Sequence, residues 1–190
     1  SQAELRAVDT EVEGTVSRFS VVRGEEFLGP ITLGMPGRHN ILNALAATAV
    51  ALEAGIPFNL IRQALQRFEG VQRRFTLRGE VGGVTVIDDY AHHPAEIRAT
   101  LAAARESYGR RVVAVWQPHR YSRTVDLREE FMSAFNDCSL LLVMDVYAAG
   151  EEAIEGIDAR SLARELGHHG HKGAIACPDA DAVLDFLGTR

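Results

Sequence analysis

The feature that most constrains this chain is a recurrence, after residue 80, of short apolar runs separated by amphipathic helical stretches. The runs occupy residues 84–87, 112–116, 140–144 and 174–177. Between them Ile97, Leu101, Ala104 and Tyr108 recur at helical spacing, and so do Leu127, Phe131 and Phe135. Further helices are expected over 158–166, capped by Asp158, and over 180–187, ended by Gly188. Strands that are apolar on both faces and alternate with helices specify a parallel sheet covered on both sides. Residues 71–190 are therefore expected to form an α/β domain, with a Rossmann-like, mostly parallel sheet and helices on both faces. A hairpin should open it, because residues 77–81 and 84–87 flank Gly82-Gly83.

The pattern before residue 71 is different. Residues 4–33 read as antiparallel strands, with Val16, Phe19, Val21 and Val22 in one run and 27–33 in the next. From Arg38, Ile41, Leu45, Thr48 and Leu52 recur at helical spacing until Gly55. Pro57 opens a second helix carrying Leu60, Ile61, Ala64, Leu65 and Phe68. These strands and helices do not add up to an evident complete sheet, so residues 1–70 are expected to be the C-terminal part of a larger domain.

Composition excludes several classes. A net charge of −6 argues against a sequence-independent nucleic-acid binder, which needs a basic face. No run approaches the ~20 apolar residues of a membrane span. The opening Ser-Gln-Ala-Glu-Leu-Arg is polar and does not read as a secretory signal. The chain does not begin with Met, as a processed or cut chain would not. Cys138 and Cys177 lie far apart with no CxxC pair, so buried free thiols in a reducing, cytoplasmic setting are expected.

In open α/β sheets ligands bind beyond the carboxyl ends of the strands, and the unusual polar residues of this chain collect there. Asp88-Asp89-Tyr90-Ala91-His92-His93-Pro94 follows the first run, Gln117-Pro118-His119-Arg120-Tyr121-Ser122-Arg123-Thr124 the second, and Asp145-Val146-Tyr147 the third. Adjacent carboxylates repel unless they face different ways or meet a hydroxyl or a cation, and an acid at such a position suits a ribose diol. Of His92 and His93, one is expected to be functional and one can cap the helix opening at Pro94. Arg120 and Arg123, with His119, can grip a carboxylate or phosphate through their planar forks, and a helix start nearby adds N–H donors. Asn40 and Asn43, three apart behind His39, suit a purine edge or a cap. Arg73 and Arg74, in the connection between the halves, suit a phosphate or a surface ion pair. No metal site is expected. His168-His169-Gly170-His171 reads as a solvated loop and Glu151-Glu152 as solvent-facing.

Three of these segments resemble motifs of the Mur ligases: residues 37–44 (Gly-Arg-His-Asn-Ile-Leu-Asn-Ala), 88–94 and 117–124. The last, followed by Asp145-Val146-Tyr147-Ala148-Ala149-Gly150-Glu151, is similar to the branch that adds L-alanine to UDP-N-acetylmuramate. The resemblance runs over essentially the whole chain. It implies a parent of three domains, with uridine-nucleotide, ATP-binding and Rossmann-like parts. Residues 1–70 would then be the tail of the central ATPase domain, and 71–190 the C-terminal ligase domain. The implied chemistry is ATP-dependent: Mg²⁺-assisted phosphorylation of the muramoyl carboxylate, then attack by the alanine amine on the acyl phosphate. By motif, His39, Asn40 and Asn43 would meet the adenine region, Arg74 the ATP phosphates and Asp89 the ribose. Tyr90, His92, His119, Arg120 and Arg123 would form the amino-acid pocket, with His92, His119 and the two arginines nearest the chemistry.

One departure matters. No GxxxxGK[ST] phosphate loop occurs in these 190 residues. The resemblance places that loop and the main Mg²⁺ ligands in N-terminal and central domains missing from the chain, so the chain alone is expected to be inactive. The rival readings are a ligase that attaches recycled peptides to the same sugar nucleotide, a noncatalytic nucleotide-binding module and a His-cluster metalloprotein.

Overall fold

The computed structural model describes residues 3–188. The chain divides into two compact units, Ser1–Tyr90 with Ala102–Gly109, and Ala91–Leu101 with Arg110–Arg190.

In the first unit, β1 (Leu5–Glu13), β2 (Val16–Arg23) and β3 (Glu26–Leu33) form an antiparallel meander in the order β1-β2-β3. Ser17, Phe19 and Val21 of β2 and Ile31 and Leu33 of β3 alternate inward, which is the period of two expected of a half-buried strand. Helices α1 (Arg38–Glu53) and α2 (Phe58–Gln66) cover this face. Ile41 and Ala44 complete the core, with Phe58 and Leu65 packed against it. Gly37, at φ +96°, begins α1; a Cβ there would sit 2.8 Å from Ala103 Cβ and 3.0 Å from the His39 ring. No side chain fits that turn.

The hairpin follows as expected. β4 (Thr76–Val81) pairs antiparallel with β5 (Val84–Asp88), with Val81 opposite Val84. Gly82 and Gly83 both have positive φ, as a tight two-residue turn between right-twisted strands requires. The expectation for residues 84–87 is corrected in one respect: β5 lies in a two-stranded sheet with β4, not in the parallel sheet. The tight turn commits β5 to its neighbour, and Val84 and Val86 stay exposed.

In the second unit, β6 (Val113–Trp116), β7 (Leu140–Val143) and β8 (Ala174–Ala176) form a parallel sheet in the order β6-β7-β8. All four residues of β7 are buried. Leu141 and Val143 join a cluster with Trp116, Phe131, Phe135, Leu162 and Leu166. Leu140 and Leu142 join another with Cys177 and Val183. A strand whose alternate residues enter two separate cores is covered on both faces, and each fully buried Leu contributes about 1.5–3 kcal/mol. This is the α/β class read from the sequence. The covering helices are α3 (Pro94–Tyr108), which contributes Ile97 and Leu101 here, α6 (Ala159–His168) and α7 (Ala180–Gly188). Asp158 caps α6 by accepting from the Ser161 N–H at 2.7 Å, in a reciprocal capping box.

Two local expectations change. The stripe through Leu127, Phe131 and Phe135 is not one helix but α4 (Tyr121–Asp126), α5 (Arg128–Met132) and a turn. The break falls at Leu127, whose φ of −108° ends α4 and starts α5. The histidine tract is not uniformly solvated either. His171 is half-buried, its Nε2 3.4 Å from Cys138 Sγ and 3.2 Å from the Cys138 carbonyl oxygen, because the chain there turns inward toward β8. Both cysteines are free and buried, and burial pushes the Cys138 thiol up to about 11.

Candidate functional site

The residues singled out by sequence fall into two clusters, one in each unit. In the first unit the connection 73–75 is contorted: Arg73 and Phe75 both have positive φ, at 57° and 53°. Left-handed backbone costs an ordinary residue roughly 1–2 kcal/mol, so the turn must be held. Its holders come from the end of β5. Tyr90 N–H donates to the Arg73 carbonyl at 2.7 Å, and Phe75 N–H donates to Asp89 Oδ2 at 2.8 Å. The Arg73 guanidinium lies 4.7 Å from the centroid of the Tyr90 ring.

The two adjacent aspartates are reconciled by facing different partners. Asp88 takes the Arg78 guanidinium, at 2.6 and 3.2 Å, and stands 3.6 Å from Arg73. The Arg78 hydrogen bond, followed by the charges of Arg73 and Arg78, holds the Asp88 carboxyl below its usual range. Asp89 is half-buried on the Phe75 amide.

Of the α1 residues, Asn40 is buried, and its side-chain amide donates to the Pro36 carbonyl at 2.8 Å. It braces the turn into α1, whereas Asn43 is exposed. The pair is thus split by environment despite its spacing. His39 is half-buried, and its pKa is lowered mainly by burial and further by Arg74, against the opposing charge of Asp89. Arg74 itself is exposed.

In the second unit the loop after β6 and the loop after β7 run side by side. His119 bridges Tyr147 in parallel register, with Tyr147 N–H donating to the Pro118 carbonyl at 2.8 Å and Arg120 N–H to the Tyr147 carbonyl at 2.9 Å. The His119 ring centroid is 5.3 Å from that of Tyr147 and 6.2 Å from that of His92. Arg123, one turn into α4, folds back so that Nη1 lies 3.3 Å from the His119 carbonyl and 3.5 Å from its Nδ1. Burial first, then the positive charges of Arg123 and Arg120 and the neighbouring His92, lower the His119 pKa. This imidazole is uncharged at neutral pH. Arg120 Nη1 lies 3.8 Å from Glu151 Oε1.

The expectation of an open anion site at this helix start is corrected by the same residue. Glu151 Oε2 accepts the Ser122 N–H at 2.9 Å and Oε1 accepts the Ser122 hydroxyl at 2.6 Å. The chain's own carboxylate occupies the donors, so Glu151 is not the solvated acid expected. Hydrogen bonds from Ser122, with Arg120 adding less, hold its carboxyl below the usual range.

His92 and His93 differ in their contacts. His93 Nδ1 accepts the Ala95 N–H at 3.3 Å, and Glu96 reaches back to the N–H groups of His92 and His93, at 3.0 and 3.1 Å. His93 is a helix cap, and the His92 ring remains at the site. Glu96, Ser122, Tyr147 and Glu151 are the site-building residues that reasoning from spacing did not single out.

With this geometry in place the comparisons are specific. The pattern described as Mur ligase, glutamate ligase domain, matches residues 73–188. The chain belongs to the Mur ligase family. The UDP-N-acetylmuramate–L-alanine ligase of Anaeromyxobacter dehalogenans is 54% identical over 180 residues, covering 95% of this chain and 39% of the relative. That of Myxococcus xanthus is 52% identical over 170 residues, covering 90% and 36%. Among solved structures, the UDP-N-acetylmuramate–alanine ligase of Thermotoga maritima superposes with a TM-score of 0.78 at 26% identity, over 97% of this chain and 40% of that one. A Mycobacterium tuberculosis folylpolyglutamate synthase solved with ADP shares the fold alone, at 17% identity and a TM-score of 0.74, over 99% of this chain and 41% of that one. The chain therefore spans about two fifths of the relatives it matches.

Proposed function

We propose that this chain is the C-terminal part of an ATP-dependent ligase that joins L-alanine to UDP-N-acetylmuramate in peptidoglycan precursor synthesis. In this reading residues 1–70 close a central ATPase domain and 71–190 form the ligase domain that brings the amino acid. The observation that carries the proposal is the second-unit cluster. The His119 imidazole and the guanidinium of Arg123 stand together at the end of a parallel strand, with Arg120 beside them. Identity above 50% to alanine-adding ligases supports the choice of L-alanine over a peptide.

The full reaction transfers the γ-phosphoryl group of ATP to the muramoyl carboxylate, releasing ADP. The alanine nitrogen then attacks the acyl carbon, a proton leaves that nitrogen, and the tetrahedral intermediate expels phosphate to give the amide. Arg123 and Arg120 are proposed to hold the alanine carboxylate, a geometry that planar guanidinium groups favour. His119 is proposed to accept a hydrogen bond from the alanine nitrogen, with His92 flanking the amino acid. Such positioning is worth several kcal/mol in an acyl-transfer reaction. Asp89 is proposed to meet the ribose of ATP and Arg74 its phosphates. His39 and Asn43 are proposed to face the base, while Asn40 braces the turn beneath them.

Among the described residues no group of three or more His, Cys, Asp and Glu is arranged to hold a metal ion; the reaction as a whole is proposed to use Mg²⁺. Its ligands are proposed to lie in the other domains of the enzyme, which is cytoplasmic in this reading. No helix among the described residues is long and apolar enough to cross a membrane.

The test is Arg123→Ala in the full-length ligase. The concentration of L-alanine needed for half-maximal rate should rise roughly 10–100-fold, the cost of losing a hydrogen bond to a charged group, with that for ATP nearly unchanged. Equal damage to both would overturn the assignment of the pocket.

A further inference from the structure

In the second unit, the loop after β7 ends in an arrangement that its own conformation does not favour. Ala149 has φ +51°, and Arg120, on the neighbouring loop, has φ +75°. Two non-glycine residues in left-handed backbone, within one pair of apposed loops, persist only where the surroundings over-determine them. Several bonds do so. Tyr147 donates its N–H to the Pro118 carbonyl and accepts the Arg120 N–H at its own carbonyl, and Glu151 also joins the two loops.

Its two carboxylate oxygens take both donors of Ser122, the N–H at 2.9 Å and the hydroxyl at 2.6 Å, and Oε1 stands 3.8 Å from Arg120 Nη1. Ser122 sits between Arg120 and Arg123 in sequence. Fixing Ser122 from outside therefore fixes the direction in which both arginines leave the backbone. On the far side, the Arg120 carbonyl accepts the Thr124 hydroxyl at 2.8 Å and its N–H at 3.2 Å, so the turn is clamped at both ends.

We propose that Glu151 is a positioning residue for the amino-acid pocket: its carboxylate clamps Ser122, sets the first turn of α4, and so aims Arg120 and Arg123. The assignment rests on reading that cluster as the amino-acid pocket. Glu151 does not touch the substrate in this scheme, because Ser122 and Arg120 occupy it. Like an ordinary glutamate it is ionised at neutral pH, as a clamp on two donors and a guanidinium requires. A purely structural role would lower stability without separating the two substrates.

The experiment uses the full-length ligase carrying Glu151→Gln, Glu151→Asp or Ser122→Ala, with Arg123→Ala in parallel. For each, KM for L-alanine, KM for ATP and the melting temperature are measured. A side-chain amide at this position offers one acceptor oxygen instead of two and no charge. Glu151→Gln should therefore raise KM for L-alanine about tenfold, the scale of one charge-assisted hydrogen bond, with KM for ATP held within about twofold. Ser122→Ala should move the same parameter by less, and Glu151→Asp should fall between wild type and Glu151→Gln. The Glu151→Gln/Ser122→Ala pair should be no worse than Glu151→Gln alone. An unchanged KM for L-alanine in Glu151→Gln, beside a raised one in Arg123→Ala, sinks the clamp and leaves the pocket standing. If Arg123→Ala also leaves it unchanged, the pocket reading falls and the clamp with it. A loss of melting temperature alone overturns the proposal, and if Glu151→Gln does not fold, Ser122→Ala decides by the same criterion.

Discussion

The two polar clusters are built on opposite plans. In the first unit, Asp88, Asp89 and Tyr90 leave the end of a hairpin strand and hold a contorted connection at Arg73–Phe75. In the second unit, residues at the ends of two parallel strands, one of them buried on both faces, brace each other directly. The first cluster stores backbone strain in a surface connection; the second draws its rigidity from the sheet beneath it. The contrast teaches that a run of unusual polar residues contains both contact groups and the groups that hold them. Asp88 and Glu151 are holders. Asp89 holds the Phe75 amide, and Arg123 and His119 are the groups proposed to meet the substrate.

Five substitutions can break or sharpen this contrast. The largest effect should come from the foundation of the second cluster: Leu141→Ala, in fully buried β7, should cost about 2–5 kcal/mol by chemical denaturation. Val86→Ala, on exposed β5, should cost no more than about 0.5 kcal/mol. Similar losses at the two sites would erase the distinction. Next, Arg123→Ala should act on L-alanine far more than on ATP, as described above, whereas Arg74→Ala should show the reverse selectivity in the same steady-state assay. Gly37→Ala should then destabilise the first unit by about 1–3 kcal/mol, because its Cβ would press on Ala103 and the His39 ring at positive φ. An unaltered melting curve would mean that the α1 entry is softer than its geometry implies.

The smallest effect is a titration. The His119 midpoint, followed by NMR, should lie below the ordinary 6.5 and move up toward it in Arg123→Ala. The sign for stability follows from the lowered pKa. Below pH 6.5 the unfolded chain takes up a proton that the folded one resists, so this group's contribution turns unfavourable as pH falls through 6.5. A midpoint that Arg123→Ala leaves in place would separate the imidazole from the arginine.

Much of this was legible in the sequence for local reasons. The period-two alternation of β2 and β3, the four-residue apolar run of β7, the Gly82-Gly83 turn and the Asp158 cap all depend on neighbours a few residues away. So does the division of His92 and His93, since a histidine before Pro94 stands at the helix cap. The failures are equally local in origin. The Leu127–Phe131–Phe135 spacing fits one helix, and nothing in it signals the break at Leu127. An apolar run such as residues 84–87 states that a strand forms, but not which sheet it joins.

The sequence by itself determined the element types, the α/β class, and which residues carry unusual chemistry, because backbone propensity and side-chain periodicity act over one or two turns. Only the tertiary structure decided what each polar group faces. Glu151 meets Ser122 across 29 residues, Asp89 meets Phe75 across 14, and His171 meets Cys138 across 33. Hydrogen bonds and ion pairs form only within about 3–4 Å, and no pattern along the chain encodes a distance through space.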